Sequence, residues 1–112
     1  MNNFLLNLKN NPQNNSFEAT MNVIDKNYNF TPTEFKNGDL INSENENNGS
    51  CKIFSFARMH DLSETETLQC FGDYYRKDVL ENPNNTDHQN IRNFMKTGWS
   101  GISFSSAALT VK

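Results

Sequence analysis

The segment from Thr86 to Trp99 constrains the fold most strongly, because it carries the sequence signals of one complete helix. Thr86 and Gln89 have the spacing of a capping box, in which each side chain bonds the backbone at the helix start. Gly98 is a natural stop. The helical wheel predicts a buried stripe of Ile91, Phe94 and Met95 and an outward face of Gln89, Arg92 and Lys96.

Four further helices are predicted from apolar periodicity and caps. The first covers residues 2 to 9, and the second follows an N-cap at Ser16. A third begins with Ser50 as its cap and extends to Met59, although the alternation of apolar residues there also suits a strand. The fourth opens with a Ser63-x-x-Glu66 capping box and extends through Val79.

Extended segments lie between these helices. Pro32 disfavours helix before it, so residues 30 to 35 are predicted as extended, and Asn37-Gly38 supplies a turn into residues 39 to 42. Residues 101 to 105 alternate in polarity and predict a final strand that pairs with this region. The expected fold is α+β and mainly helical, with about four to five helices packed with a small antiparallel sheet in a single domain.

Composition excludes several functional classes. The net charge is −3 and the ten basic residues are scattered, so nucleic acid is not an expected partner. No apolar stretch approaches the length of a membrane span, which predicts a soluble protein without a membrane partner. A chain of 112 residues can bury one core without metal or disulfide, so no cofactor is expected.

The two cysteines, Cys51 and Cys70, fall in apolar helical patterns and are predicted to be free and buried. Their spacing with His60 and His88 fits no common zinc site, so no metal is expected. A cysteine nucleophile with His88 as its base is a less favoured alternative, because it requires an accessible thiol.

Asp87, His88 and Asn90 are the main candidate site residues. They lie where the predicted helix meets the rest of the protein, and the simplest interpretation is structural, since an acid suits a helix start and the other two can bond nearby loops. The alternative is a polar pocket for a ligand or a partner. Candidate binding residues beyond these three are Asn37, Asp39, Arg92 and Trp99, with Asn37 and Asp39 relevant only if their turn folds beside Asp87 and His88.

Residues 16 to 112 resemble the HopJ type III effector family through several segments that occur in the same order. The first fifteen residues are then expected to be a variable N-terminal segment, either a short helix or partly disordered. The matching segments are Phe30-Thr31-Pro32-Thr33, Phe35-x-Asn37-Gly38, Asn48-Gly49-Ser50-Cys51-Lys52, Leu68-x-Cys70-Phe71-Gly72, Tyr75-Arg76-x-Asp78-Val79-Leu80 and Thr86 to Trp99. The resemblance implies a bacterial protein of a family named for one that is delivered into host cells. It brings no catalytic residues to assign here.

Two functional hypotheses follow, and whether the protein is an enzyme stays open between them. In the favoured one it is a non-enzymatic binding module for another protein, a host protein if it is exported, and an exposed apolar patch near Tyr74 or Trp99 would support this. In the alternative, a pocket around Asp87, His88 and Asn90 binds or converts a small molecule. The expected location is the bacterial cytoplasm, with type III export into a host cell as the alternative. The sequence does not determine the oligomeric state.

Overall fold

The computed structural model describes all 112 residues and has the predicted α+β, mainly helical architecture in a single domain. The five α-helices are α1 Asn2–Asn10, α2 Phe17–Asn27, α3 Asn48–Met59, α4 Glu64–Gln69 and α5 Gln89–Thr97. A π-helix covers Tyr74–Val79, and 3-10 turns cover Pro12–Asn14 and Gly98–Gly101. The strands are β1 Tyr28–Phe30, β2 Phe35–Asn37, β3 Leu40–Asn42, β4 Ile102–Phe104 and β5 Leu109–Val111.

The strands form two small antiparallel sheets rather than one. In the first, β2 lies between β3 and β4, with Phe35 opposite both Asn42 and Phe104. This is the predicted hairpin, with the final strand added to it. The second sheet pairs β1 with β5, a strand that the sequence reasoning missed.

Local caps explain where two of the helices begin. Ser16 Oγ accepts a hydrogen bond from the Ala19 backbone N–H at 3.0 Å, as predicted for the start of α2. Ser63 and Glu66 form both bonds of the predicted capping box at the start of α4.

Two predicted helix boundaries are wrong. Helix α3 starts two residues before Ser50, after Asn47 in the left-handed region at φ 54°. The helix from Ser63 does not extend through Val79, because Gly72 adopts φ +62° and the chain resumes as the π-helix. A Cβ on Gly72 would lie 2.6 Å from the Phe17 backbone nitrogen, so only glycine permits this close approach.

The core is aromatic and centres on α3. Phe54 is fully buried, and its ring lies 5.0 Å from that of Phe94 and 5.6 Å from that of Phe71. The N-terminal segment joins the same core, because Leu8 of α1 is 1% exposed and the ring of Phe4 meets Phe56 edge-on at 5.8 Å. This packing holds the starts of α3 and α5 beside the π-helix, where the candidate site lies. No helix is long and apolar enough to span a bilayer.

Candidate functional site

The start of α5 differs from the sequence prediction. The helix begins at Gln89, and His88 precedes it in the left-handed region at φ 51°, without a side-chain cap. The predicted capping box is therefore wrong, and the Gln89 amide instead donates to the Thr86 carbonyl at 2.6 Å. Asp87 and His88 thus lie on the loop before the helix.

Arg92 explains this geometry, because it holds the preceding loop against the helix. Its guanidinium donates to the Asp87 carbonyl at 2.6 Å, to the Asp87 carboxylate at 2.7 Å and to the Pro83 carbonyl at 3.3 Å. Arg92 was predicted to face outward but is only 9% exposed, and Met95 was predicted to be buried but is 45% exposed. Both predictions are therefore wrong. The hydrogen bond from Arg92 lowers the pKa of the Asp87 carboxyl below its usual value.

His88 lies between two carboxylates and an aromatic ring. Its Nε2 is 3.0 Å from the Asp78 carboxylate of the π-helix and 3.8 Å from that of Asp87. The ring of Tyr74 lies 5.1 Å from the imidazole. We call Asp78, Asp87, His88 and Arg92 the charged cluster; it is partly exposed, since the side chains of Asp78 and Asp87 are about half accessible.

A second polar group, the asparagine network, lies deeper beside it and consists of Asn37, Asn42, Asn47 and Asn90. The Asn37 amide donates to the Asn90 side-chain oxygen at 3.0 Å, and the Asn42 amide donates to the same oxygen at 3.1 Å. Asn90 in turn donates to Asn42, as does Asn47 at the start of α3. The structure thus brings together Asn37 and Asn90, both predicted site residues, inside the framework that joins the hairpin to α3 and α5.

A cleft of about 530 Å³ opens between the starts of α3 and α5, and we call it the α3–α5 cleft. Its size falls within the roughly 300–1,000 Å³ of ordinary ligand sites. The lining is apolar and neutral polar: Phe17, Leu40, Asn47, Gly49, Ser50, Phe71, Tyr74, His88, Gln89, Asn90 and Ile91. His88 and Asn90 therefore face a common space, while Asp87 stands behind His88.

Two predicted site residues lie away from this cleft. Asp39 is exposed in the turn between β2 and β3 and makes no ion pair. The indole N–H of Trp99 donates to the Leu62 carbonyl at 3.1 Å, and the ring packs edge-on against Phe94, with the Arg58 guanidinium over its face. These contacts give Trp99 a packing role and leave Asp39 without a partner.

Both thiols are free and buried, as predicted. Burial raises the pKa of Cys70 to about 12 and also raises the pKa of Cys51, so neither is easily ionised to the thiolate. The other histidine, His60, is bonded to the Tyr28 hydroxyl at 2.6 Å, and burial lowers its pKa. No group of three or more His, Cys, Asp or Glu side chains is placed to hold a metal ion.

Sequence reasoning missed Asp78, Asn42 and Phe17 as parts of the site region. Asp78 reaches His88 across the asparagine-rich loop, a contact that no local spacing indicates. Asn42 had a usable signal, because the predicted hairpin places it opposite Phe35 and therefore toward the core. Tyr74, near which an apolar patch was expected, is 40% exposed, and its ring centre lies 5.1 Å from that of Phe17.

Comparison with known proteins identifies the class. The family model of the HopJ type III effector protein matches residues 1–109, so the chain belongs to this family. It is also similar to a solved crystal structure, that of VPA0580, a protein of unknown function. The two share 55% sequence identity over 100% of this chain and 93% of the other, with a TM-score of 0.99. No curated protein is significantly similar to the chain.

Proposed function

We propose that this HopJ family member is a non-enzymatic binding module that recognises a segment of another protein in the α3–α5 cleft. The observation that carries the proposal is the cleft itself, which combines apolar surface from Phe17, Phe71 and Ile91 with neutral polar groups. Recognition sites commonly have this mixed lining, because apolar contact supplies affinity and a few polar groups fix orientation.

The surface beside the cleft supports a macromolecular partner. Gln89 borders both the cleft and a second groove, of about 380 Å³, that Leu80 and Met95 line. These two side chains are 47% and 45% exposed, and Tyr74 at the cleft is 40% exposed. Large apolar side chains grouped at a concave surface are typical of protein interfaces. These exposed apolar side chains support the proposal of a protein partner.

The nucleophilic groups favour binding over catalysis. Both thiols are buried with raised pKa values. Ser50 shares the cleft with His88, but no hydrogen bond joins the two side chains, whose contact would be needed to activate a serine. The cleft therefore has recognition groups without an assembled nucleophile.

The test is to fill the cleft. Ser50→Leu places a larger apolar side chain in the lining, and Ser55→Leu, also half-buried on α3, lines a different groove and is the matched control. Crosslinking in the producing cell and in host-cell extract should capture the same partner with the parent and with Ser55→Leu, and lose it with Ser50→Leu. Equal capture by all three proteins, each with an unchanged circular dichroism spectrum, would place recognition elsewhere.

A second candidate function, a small-molecule-binding protein or enzyme, rests on the Asp78–His88 pair. A carboxylate 3.0 Å from one imidazole nitrogen orients the ring, and the other nitrogen is then available to a ligand. This candidate predicts that a metabolite library contains a compound that raises the melting temperature of the parent but not of Ser50→Leu. Failure of every compound, together with partner capture, would favour the binding module.

Export is a separate part of the proposal, and its only support is the family to which the chain belongs. We infer that the protein is made in the bacterial cytoplasm and delivered by a type III apparatus to a host protein. A fusion to a reporter that is active only in host cytoplasm should give signal with an intact secretion apparatus and none without it. Signal in neither strain would leave the module acting inside the bacterium.

A further inference from the structure

One wall of the α3–α5 cleft is a row of three rings. Phe17 and Tyr74 meet edge-on with ring centres 5.1 Å apart, and Tyr74 is tilted against His88, also at 5.1 Å. Tyr74 is 40% exposed, so the row is not closed over by the protein. Rings attract one another through offset and edge-on contacts, and such a wall favours another ring over an aliphatic group.

The start of α3 fixes the other side of this wall. A Cβ on Gly49 would lie 2.8 Å from Cζ of Phe17, so a larger residue there would push the ring out of its position. Leu40, Phe71 and Ile91 add apolar surface. The start of α3 therefore packs directly against the Phe17 ring.

The electrostatics of the cleft are close to neutral. None of its eleven lining residues is Asp, Glu, Lys or Arg. Behind His88 stand the carboxylates of Asp78 and Asp87, and Arg92 is paired with the latter. Each helix start contributes about half a positive charge, and Arg92 offsets one of the two carboxylates, so no strong net charge faces the cleft. An anionic ligand gains no net attraction from this arrangement.

Hydrogen-bond donors without partners at the cleft indicate that the ligand carries a hydrogen-bond acceptor. The hydroxyls of Ser50 and Tyr74 line the cleft and have no hydrogen-bond partner in the protein. The starts of α3 and α5 have no side-chain caps, which leaves backbone N–H groups without side-chain partners. An uncharged carbonyl oxygen is the acceptor that satisfies donors without adding charge.

We propose that the cleft binds an uncharged aromatic side chain of a partner polypeptide together with a main-chain carbonyl beside it. This inference rests on the proposed function, in which the cleft recognises a protein segment, and it adds the chemistry of that segment. The ring of the partner contacts the wall of Phe17 and Tyr74, and its carbonyl accepts from the donors at the helix starts.

Three matched probes test the inference with the full-length, ¹⁵N-labelled protein. N-acetylphenylalaninamide is the reference, N-acetylleucinamide removes the ring, and N-acetylphenylalanine carries a carboxylate in place of the amide. The reference should shift the amide resonances of Gly49, Ser50, Asn90 and Ile91 in a saturable way. The leucine comparator should bind at least about threefold more weakly, the lower end of what an aromatic contact contributes, and the carboxylate comparator should bind no more tightly than the reference.

Two substitutions at one position supply the matched variants. Tyr74→Phe keeps the ring and removes only the hydroxyl, so it should bind the reference probe more tightly than Tyr74→Leu does. Tyr74→Leu keeps apolar surface but removes the ring, and should weaken binding by roughly threefold to tenfold. Tyr74 is 40% exposed, so both variants are expected to fold, which the dispersion of their amide spectra checks.

The outcomes separate this inference from the proposed function. Equal binding of the leucine probe, or unchanged affinity in Tyr74→Leu, overturns the aromatic assignment, and tighter binding of the carboxylate probe overturns the assignment of an uncharged ligand. Either result leaves the cleft as a binding site. No saturable shift at the cleft with any probe overturns the inference, whereas the proposed function fails only if a partner is captured equally by Ser50→Leu.

Discussion

Two polar clusters meet at the start of α5, and they differ in what surrounds them. Three of the four asparagines in the network are almost inaccessible, with Asn37 at 0%, Asn42 at 1% and Asn90 at 6% exposure, and only Asn47 is exposed. Three side chains of the charged cluster are more open, at 28% for His88, 49% for Asp78 and 50% for Asp87, and only Arg92 is buried. Buried amides need hydrogen-bond partners, because an unpaired buried polar group costs free energy, and among the buried atoms of the network only the Asn37 side-chain oxygen lacks one. The exposed charges are solvated, and they retain atoms that can meet a ligand.

The difference assigns separate roles to side chains that are neighbours in the sequence. Asn90 bonds inward to Asn37 and Asn42 and thereby holds the hairpin against α5. Two residues earlier, His88 turns outward to Asp78 and the cleft. The asparagine network therefore belongs to the framework, whereas of the charged cluster only His88 lines the proposed recognition cleft. Substitutions in the two groups should differ in their effect on stability.

The largest effect is expected for Asn90→Ala. It removes three buried side-chain hydrogen bonds, those that Asn90 accepts from Asn37 and Asn42 and the one that it donates to Asn42, and leaves the Asn37 side chain only its bond to the Asn90 backbone carbonyl. At about 1 kcal/mol for each bond, the free energy of unfolding should fall by about 3 kcal/mol. Urea denaturation measures this. Asn93→Ala is the control, because Asn93 is half-buried and its amide donates a single bond to the Asn37 carbonyl, worth about 1 kcal/mol. If Asn90→Ala lost no more unfolding free energy than Asn93→Ala, the asparagine network would not have the structural role that separates it from the charged cluster.

Arg92→Met should have an intermediate effect, because Arg92 belongs to the charged cluster but is itself buried. The substitution keeps the apolar stem and removes three hydrogen bonds to the loop, for an expected loss of about 2 kcal/mol by urea denaturation. Lys96→Met, exposed on the same helix, should stay within about 0.5 kcal/mol of the parent. If the two variants were equally stable, the guanidinium would not be what folds the loop onto α5.

Smaller changes are expected at His88, where the backbone is left-handed at φ 51°. His88→Ala loses a half-exposed contact to Asp78 and should cost less than about 1 kcal/mol. His88→Gly relieves the backbone strain and should be more stable than His88→Ala by roughly 1 kcal/mol. At Gln89, the first residue of the helix, the ranking should reverse, so that Gln89→Ala is more stable than Gln89→Gly. The melting temperatures of the four variants check both rankings. If His88→Ala were more stable than His88→Gly, the left-handed conformation assigned to His88 would be contradicted.

Local signals account for the parts of this fold that the sequence could predict. The caps at Ser16 and Ser63 are satisfied by residues three positions away, so a short window contains all their partners. The turn at Asn37-Gly38 likewise needs only its own residues. The resemblance to the HopJ type III effector family was also correct, because the family model matches residues 1–109.

The errors arise where a distant residue decides a local conformation. The start of α5 was misplaced because Arg92 pulls the loop of Pro83 and Asp87 against the helix, which overrides the capping signal at Thr86. The break at Gly72 comes from the close passage of the Phe17 backbone, which lies 55 positions earlier in the sequence. Of the candidate site, Asn90 and Asn37 meet in the network, whereas the partner of His88 lies on the π-helix, which no periodicity indicated.

The smallest expected effect in the charged cluster is the contribution of Asp87 to the pH dependence of the unfolding free energy. Its pKa is lowered in the folded protein, chiefly by the hydrogen bond from Arg92. A carboxyl whose folded pKa is below its unfolded value contributes stability above the unfolded pKa, about 3.9, and loses it as the pH falls through the folded pKa. The unfolding free energy of the parent should therefore fall more steeply below about pH 4 than that of Asp87→Asn, which keeps an acceptor for Arg92 but cannot titrate. Urea denaturation at pH 7, 4 and 3 measures the slopes. If the two proteins lost stability in parallel, Arg92 would bind the loop only through the backbone carbonyls of Pro83 and Asp87. The Asp87 carboxylate would then be available to a partner.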